Sequence, residues 1–165
     1  MFRLFDFFFS FLGLTICGPL MLAIYAVALF HEGTPIFRQE RVGRDMKPFI
    51  LLKFRTMRPN TASVASHLVD PSSITPLGAF LRRTKLDELP QLWNVLKGEM
   101  SLVGPRPCLF NQTELIKERA SLSVFSVRPG ITGLAQVKKI DMSTPKLLAE
   151  TDACMLQELS VIAYF

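Results

Sequence analysis

Residues 85–107 read KLDELPQLWNVLKGEMSLVGPRP, and the two adjacent acids near the start of this stretch are its most informative feature. Proline is tolerated in the first turn of a helix, because the backbone N–H groups there have no partner within the helix. Pro90 therefore predicts a helix that begins near Leu86. Asp87 and Glu88 fall in its first turn, where free N–H groups and the helix dipole favour anions. An ionised aspartate beside a phosphate site suits a nucleophile or a metal ligand, although acids also occur at helix starts without a catalytic role.

Three further motifs surround the acidic pair. Residues 53–57 read KFRTM, residues 100–107 read MSLVGPRP and residues 128–137 read RPGITGLAQV, with DELPQLWNVLKG at residues 87–98. In this combination and order the chain resembles the bacterial sugar transferases, the monotopic polyprenyl-phosphate phosphoglycosyl transferases. The resemblance runs to about residue 140 and continues more loosely to the end.

Composition limits the classes of protein that the chain can belong to. Its 165 residues allow one domain and an N-terminal segment, and a hydrophobic share of 49% points to a membrane. The net charge of +5 fits anionic lipid or a phosphorylated substrate. No nucleic-acid-binding motif accompanies this charge, so nucleic acid is excluded as a partner. Three cysteines without C-x-x-C spacing favour a reducing compartment over a disulfide framework or a zinc site.

Residues 4–30 form an apolar run that is long enough for a transmembrane helix. Gly18 and Pro19 interrupt its middle, and neither arm alone would cross the hydrocarbon core. Basic residues lie on both flanks, which the positive-inside rule accommodates best if both ends stay in the cytoplasm. The sequence therefore predicts a re-entrant helix that breaks at Gly18–Pro19, as the family resemblance also implies. A kinked helix that spans the membrane fully is the alternative.

The rest of the chain predicts a helix-rich α+β domain. Residues 35–42 and 49–54 have the composition of a β-hairpin, and Thr75 before a proline is a helix start. Further amphipathic helices are predicted at residues 113–120 and 143–165, and such short helices suit a core or the membrane interface.

Two segments follow from these predictions. Residues 1–31 would form the re-entrant membrane helix, and residues 32–165 the catalytic domain on the cytoplasmic face of the bacterial inner membrane. Family members usually continue past the position that matches Phe165, so this domain is expected to be short at its C-terminus.

The resemblance also implies a reaction. Family members transfer a sugar phosphate from a nucleotide sugar, usually a UDP-sugar, to undecaprenyl phosphate and release UMP. By motif match, Asp87 is the nucleophile that forms an aspartyl-phosphosugar intermediate, and Glu88 positions Mg²⁺ or the acceptor phosphate. Mg²⁺ is the expected cofactor, because it prefers carboxylate and phosphate oxygens and neutralises a diphosphate. Both acids are candidate metal ligands.

Phosphate also requires cationic side chains, and arginine holds it at two points. Arg106, fixed between two prolines, is the first candidate, followed by Arg82 just upstream of the acids, then Lys53 and Arg55. Residues 128–133 predict a tight loop beside the site, with Arg128 near the nucleotide or phosphate. For each of these cations a solvated surface charge is the competing interpretation.

Two other functions compete with the transferase. A membrane-bound nucleotide-sugar pyrophosphatase would lose the aspartyl intermediate to water, and a non-catalytic subunit would only bind lipid or a partner. The transferase would catalyse the first membrane step of bacterial polysaccharide or glycoconjugate biosynthesis, such as exopolysaccharide or lipopolysaccharide, with the sugar left open.

Overall fold

The computed structural model describes residues 2–58, 61 and 71–158. Its elements in chain order are α1 (Phe2–Glu32), β1 (Ile36–Val42), β2 (Pro48–Phe54), α2 (Pro76–Thr84), α3 (Gln91–Lys97), β3 (Ser101–Val103), α4 (Thr113–Ser121), β4 (Gly130–Thr132), α5 (Leu134–Val137) and α6 (Pro145–Glu158). The predicted helix-rich α+β class is confirmed.

The predicted β-hairpin is present, with bounds within one residue of the prediction. β1 and β2 pair antiparallel from Ile36 opposite Phe54 to Val42 opposite Pro48. The Gly43 N–H closes the turn by donating to the carbonyl of Lys47 at 2.8 Å. The hairpin contributes Val42 and Phe54 to the core, each 2% exposed.

A second, parallel pair of strands was not predicted. In this pair β3 lies beside β4, with Ser101 opposite Gly130 and Val103 opposite Thr132. The backbones approach so closely that a Cβ atom on Gly130 would lie 2.1 Å from the nitrogen of Gly104. Strands of three residues are too short to show an alternation of apolar and polar residues in the sequence. Only the tertiary contact between them defines these strands.

The helix after Lys85 begins later than predicted. Leu86–Glu88 form a 3₁₀ turn and α3 starts at Gln91, so the two acids precede the α-helix instead of occupying its first turn. The physical reason is Pro90, which has no N–H to donate to the carbonyl four residues earlier. Bonds of i to i−3 type run through the turn, such as that from the Glu88 N–H to the Lys85 carbonyl at 3.2 Å. The helix ends at Gly98, whose left-handed backbone with φ of 87° is the usual glycine C-cap.

The N-terminal apolar run is one helix, α1, which continues through Gly18 and Pro19 without the predicted break. One stripe of α1 packs on the rest of the domain along nearly its whole length. Near its start, Asp6 is 2% exposed and accepts hydrogen bonds from Ser101 Oγ at 2.9 Å and from the Leu102 N–H at 2.8 Å. Near its end, Ile24 packs in one cluster with Phe54 and Leu81. Further stripe members are Arg3, Ser10, Gly13, Met21 and Ala28.

The rest of the α1 surface is apolar and exposed. The most apolar 18-residue window between Arg3 and Phe30 has a mean hydropathy of 2.1, and only 11% of this window is buried. Its exposed large side chains include Leu4, Phe8, Phe11, Ile16, Leu22 and Phe30. By length and composition α1 is able to enter a membrane.

The remaining predicted helices are largely confirmed. α2 starts where Thr75 Oγ1 accepts a hydrogen bond from the Gly78 N–H at 3.0 Å, as expected of an N-cap followed by proline. α4 covers the predicted residues 113–120, and α6 begins at Pro145. The predicted extension of α6 to residue 165 lies outside the described residues beyond Glu158.

Candidate active site

The two acids lie in a 3₁₀ turn between α2 and α3. Asp87 is 7% exposed and Glu88 is 9% exposed. Leu86, the first residue of the turn, packs against the cluster that contains Ile24 of α1. The acidic turn therefore rests on the side of the apolar helix.

Glu88 is held by two cations. Its Oε1 atom accepts hydrogen bonds from Lys53 Nζ at 2.7 Å and from Arg106 Nη2 at 3.2 Å. Burial alone would raise the pKa of Glu88, but the charges of Lys53 and Arg106 outweigh it and lower this pKa. Glu88 is therefore an ionised carboxylate that joins the hairpin to the turn carrying Arg106.

Asp87 has a different environment. Its Oδ1 atom is buried and has no hydrogen-bond partner in the part of the chain that the structure describes. Burial raises the pKa of Asp87, and the adjacent Glu88 charge adds to this, while Lys53 and Arg82 oppose it. A buried carboxylate oxygen without a partner is costly, so it is the atom in this turn most in need of a ligand.

Three of the five predicted cations lie around the acids. Lys53 and Arg106 contact Glu88, as described above. Arg82 donates from Nε to Thr56 Oγ1 at 2.9 Å, and its charge acts on Asp87.

The other two predicted cations point elsewhere. Arg55 lies beyond the end of β2, donates from Nε to the Thr34 carbonyl at 2.8 Å and lies 5.7 Å from the Phe37 ring centroid. Arg128 donates from Nε to the Gly98 carbonyl at 2.7 Å. Each of these guanidinium groups is used to fix the backbone.

A cavity of about 640 Å³ opens beside Glu88 and Arg106. Its wall comes from β4, α5 and the start of α6, and includes Ile131, Ala135, Ile140, Met142 and Leu148. The predicted loop of residues 128–133 therefore lies beside the site as β4, although Arg128 does not face it.

Two further polar residues of this wall, Lys85 and Gln136, are not among the predicted site residues. Lys85 adds a further positive charge at the mouth of the cavity, and it has a left-handed backbone with φ of 59°. Gln136 donates to the Ile131 carbonyl at 2.8 Å, while its Oε1 atom is buried without a partner among the described residues. The position of Gln136 in a motif was visible in the sequence, but its free acceptor was not.

The acids are compatible with Mg²⁺. Asp87 Oδ1 has no partner, and the Lys53 and Arg106 bonds occupy only one oxygen of Glu88. Within residues 2–58, 61 and 71–158, no group of three or more His, Cys, Asp or Glu side chains forms a complete metal site. Mg²⁺ commonly binds through one or two carboxylates and completes its shell with water and substrate phosphate, so two acids are sufficient.

The chain is similar in sequence to several known sugar transferases. The chain is 43% identical over 140 residues to the UDP-glucose:undecaprenyl-phosphate glucose-1-phosphate transferase of Klebsiella pneumoniae, which covers 82% of this chain and 30% of that protein. It is 40% identical over 152 residues to the undecaprenyl-phosphate galactose phosphotransferase of Salmonella typhimurium, covering 82% and 32%. It is 43% identical over 136 residues to the uncharacterized sugar transferase EpsL of Bacillus subtilis, covering 82% and 67%.

The chain spans about a third of the length of the Klebsiella and Salmonella relatives. A family model described as bacterial sugar transferase matches residues 1–164, which is nearly the whole chain. The acidic pair, its cations and the neighbouring cavity all lie within that match, and the chain belongs to the bacterial sugar transferase family.

Proposed function

We propose that this chain is a phosphoglycosyl transferase. It moves a sugar 1-phosphate from a UDP-sugar to undecaprenyl phosphate and releases UMP, at the cytoplasmic face of the bacterial inner membrane. The observation that carries the proposal is the pair of neighbouring acids. Asp87 has an unpartnered oxygen, and Glu88 is held ionised by Lys53 and Arg106 beside a cavity. The names of the Klebsiella and Salmonella relatives support the same substrates.

The proposed reaction has two displacements at one phosphorus. A carboxylate oxygen of Asp87 attacks the phosphorus that carries the sugar, the bond to the bridging oxygen of the diphosphate breaks, and UMP leaves with that oxygen. A phosphate oxygen of undecaprenyl phosphate then attacks the same phosphorus. The bond to Asp87 breaks, the carboxylate is restored, and the product is a polyprenyl-diphosphate sugar.

The other residues have separate roles. Arg106 and Lys53 neutralise phosphate oxygens, and Arg82 favours the ionised form of Asp87. Glu88 orients these two cations and, with Asp87, would hold Mg²⁺. When bound, Mg²⁺ would supply further neutralisation of the diphosphate. The cavity beside Glu88 would receive the nucleotide or the sugar, with Gln136 Oε1 accepting an N–H or O–H group.

The proposal includes a re-entrant α1 that is bent at Gly18 and Pro19. Arg3, at its start, donates from Nη2 to the Leu96 carbonyl of α3 at 2.7 Å, while its end leads through Gly33 into β1. Since α3 and β1 belong to one domain, the contacts at the two ends of α1 favour a topology in which both ends lie on the same side of the membrane. Single cysteines at residues 4 and 33 in a cysteine-free background would test this. Labelling from the same face of inverted vesicles is expected, and opposite faces would establish a spanning helix.

The activity test uses purified protein in detergent with UDP-sugars, undecaprenyl phosphate and Mg²⁺. UMP release that depends on the acceptor is expected, and Asp87→Asn should lower it by about 10⁴-fold or more, because no nucleophile remains. Mass spectrometry of the intact protein with donor alone should show a sugar-phosphate adduct that Asp87→Asn abolishes and Glu88→Gln does not shift to another residue. Repeated UMP release without acceptor would support the pyrophosphatase, and no release would support the non-catalytic subunit.

A further inference from the structure

The backbone that carries Arg106 is held at four consecutive carbonyl groups. The Pro105 carbonyl accepts from the Gly130 N–H at 2.9 Å, and the Cys108 carbonyl accepts from the Val42 N–H at 3.0 Å. Between them, two guanidinium groups supply the donors. Arg119 Nη1 donates to the Arg106 carbonyl at 2.8 Å, and Arg41 Nη1 donates to the Pro107 carbonyl at 3.1 Å. We call residues 105–108 the clamped segment.

Proline explains why outside donors are needed here. Pro105 and Pro107 have no N–H groups, so the segment has few donors with which to form a hydrogen-bonded turn of its own. Two prolines also restrict φ on both sides of Arg106. The remaining freedom lies in the peptide planes, and the bonds to their carbonyls fix those planes.

Arg119 is a buried cation with a partner. It is 1% exposed, and Asp152 of α6, also 1% exposed, accepts from its Nε at 3.0 Å and from its Nη2 at 2.7 Å. This ion pair uses two of the guanidinium nitrogens and leaves Nη1 for the Arg106 carbonyl. The carboxylate thereby orients the planar group toward the clamped segment.

Arg41 is a buried cation without an acidic partner. It is 8% exposed and donates from Nε to Gln39 Oε1 at 3.0 Å. Among the described residues, no carboxylate lies within ion-pair distance of it. Burial and the neighbouring charge of Arg106 lower the pKa of Arg41 to about 10. A buried guanidinium without a counter-ion is unfavourable for folding. Its presence beside Arg106 therefore suggests a functional role.

We infer that Arg41 and Arg119 are positioning residues for Arg106, whose side chain they aim at Glu88 and the adjacent cavity through the carbonyls of Arg106 and Pro107. The inference rests on the proposed role of Arg106 in binding substrate phosphate. A planar guanidinium binds phosphate at two points only in the correct orientation, so a small rotation of its backbone removes one of the two bonds.

A double-mutant cycle tests the inference, with uridine diphosphate as the probe and its dissociation constant from titration calorimetry in the presence of Mg²⁺. Arg41→Met should weaken binding about 10-fold in the native sequence, which is the effect of losing one charge-assisted hydrogen bond. In the Arg106→Ala background the same change should alter the dissociation constant by less than about twofold. A change of about twofold is the usual tolerance of such a cycle. Arg41→Lys should restore part of the affinity, because an ammonium group is still able to donate to the Pro107 carbonyl.

Arg38→Met is the matched control, because Arg38 lies on the same strand and is exposed. It should leave the dissociation constant unchanged. Arg119→Lys is the second variant and keeps a charge opposite Asp152 while losing the fork that reaches Arg106. It serves in the same cycle if Arg41→Met does not fold.

The outcomes separate the two proposals. Equal losses of affinity in both backgrounds, or a lower melting temperature with unchanged affinity, would overturn the positioning role. A native protein that neither binds uridine diphosphate nor releases UMP would overturn the proposed function itself. Loss of affinity that disappears when Arg106 is absent supports the inference.

Discussion

Asp87 and Glu88 are neighbours in one 3₁₀ turn, yet their surroundings act on their charges in opposite directions. Burial raises the pKa of Asp87, whereas Lys53 and Arg106 overcome burial and lower the pKa of Glu88. Pairs of acids whose pKa values are pushed apart are typical of sites that assign them different tasks. Here the less stabilised carboxylate is the proposed nucleophile.

This difference predicts that replacing each acid by its amide changes folding stability in opposite directions. An acid whose pKa is raised by folding holds its proton more tightly in the folded state, so folding stability falls as pH rises from 3.8 through the raised pKa. Asp87→Asn should therefore stabilise the protein at neutral pH, by about 1 kcal/mol. Glu88→Gln should destabilise it by about 1–3 kcal/mol, because Lys53 and Arg106 lose their counter-ion. Melting temperatures in detergent without divalent cations measure both, and a shift of equal sign would contradict this account.

The pH dependence of the reaction should also depend on Lys53. Asp87 must be ionised to attack, so donor-limited kcat/KM should rise with pH through a pKa above the ordinary 3.8. The ammonium of Lys53 favours the ionised form, so Lys53→Met should move this acid limb to higher pH. Lys97→Met is the control, because Lys97 is half exposed and pairs with Glu99 at 2.6 Å. Coincident acid limbs for the Lys53 variant and the native protein would rule out Asp87 as the titrating group.

The sequence predicted some site residues and not others, for reasons that concern side-chain direction. Lys53 lies within β2 and faces the acids, but Arg55 follows the end of the strand, where alternation no longer determines its direction. Both residues were therefore predicted to bind phosphate only because they belong to the motif at residues 53–57. In the sequence, Arg41 is one of several basic residues that follow the apolar run, and nothing there indicates that it is buried on a strand without a counter-ion.

At the scale of elements, one side chain joins α3 to the hairpin. Asn94 is fully buried, and its amide nitrogen donates to the Ile50 carbonyl and to Glu99 Oε2, each at 2.7 Å. Its Oδ1 atom accepts from the Leu52 N–H at 3.1 Å. Asn94 thereby bonds to the edge of β2 one residue before Lys53, so the position of the acidic turn relative to the hairpin depends on it.

Asn94→Leu should lower the free energy of unfolding by about 2 kcal/mol, because the Leu52 N–H and the Ile50 carbonyl both lose the hydrogen bonds of a fully buried side chain. UMP release should fall as well, since Lys53 would lose its fixed distance from Glu88. Asn111→Leu provides the control, because Asn111 is exposed. Chemical denaturation and the UMP assay measure the two effects, and equal behaviour of both variants would refute the role of Asn94.

The elements that local rules determine were predictable, and those that tertiary contacts determine were not. The hairpin, the Thr75 cap and the end at Gly98 follow from alternation, capping and a left-handed glycine, each readable within a few residues. The β3–β4 pair requires Gly104 to meet Gly130, far along the chain. The 3₁₀ turn depends on Pro90 and also on the left-handed Lys85 that ends α2, and only the proline is visible in the sequence.

At the scale of the whole molecule, α1 belongs to the domain as well as to the membrane. Its inner stripe contacts β3, α3 and the cluster beneath the acidic turn, while its other faces are apolar and exposed. The same helix therefore supports Leu86 and carries the apolar surface that is able to enter a bilayer. Hydropathy predicted the membrane helix, but the packing of its buried stripe could be seen only in three dimensions.

Asp6→Ala should destabilise the protein by about 1–3 kcal/mol, because Ser101 Oγ and the Leu102 N–H lose a buried acceptor. The loss should appear in the melting temperature of the domain measured in detergent, where no bilayer contributes. Glu150→Ala is the control, since Glu150 is an exposed acid within α6. An unchanged melting temperature for Asp6→Ala would mean that the contacts of Asp6 with β3 do not stabilise the domain.

Asp6 has a wider consequence for how such proteins diversify. A carboxylate in the anchor that completes the polar contacts of a strand about ninety-five positions away makes the two parts interdependent. Lineages that exchange anchors by recombination would have to carry the matching strand with them. Engineers who seek a water-soluble version face the same constraint and would have to redesign the uncovered surface of the domain instead of deleting its first helix.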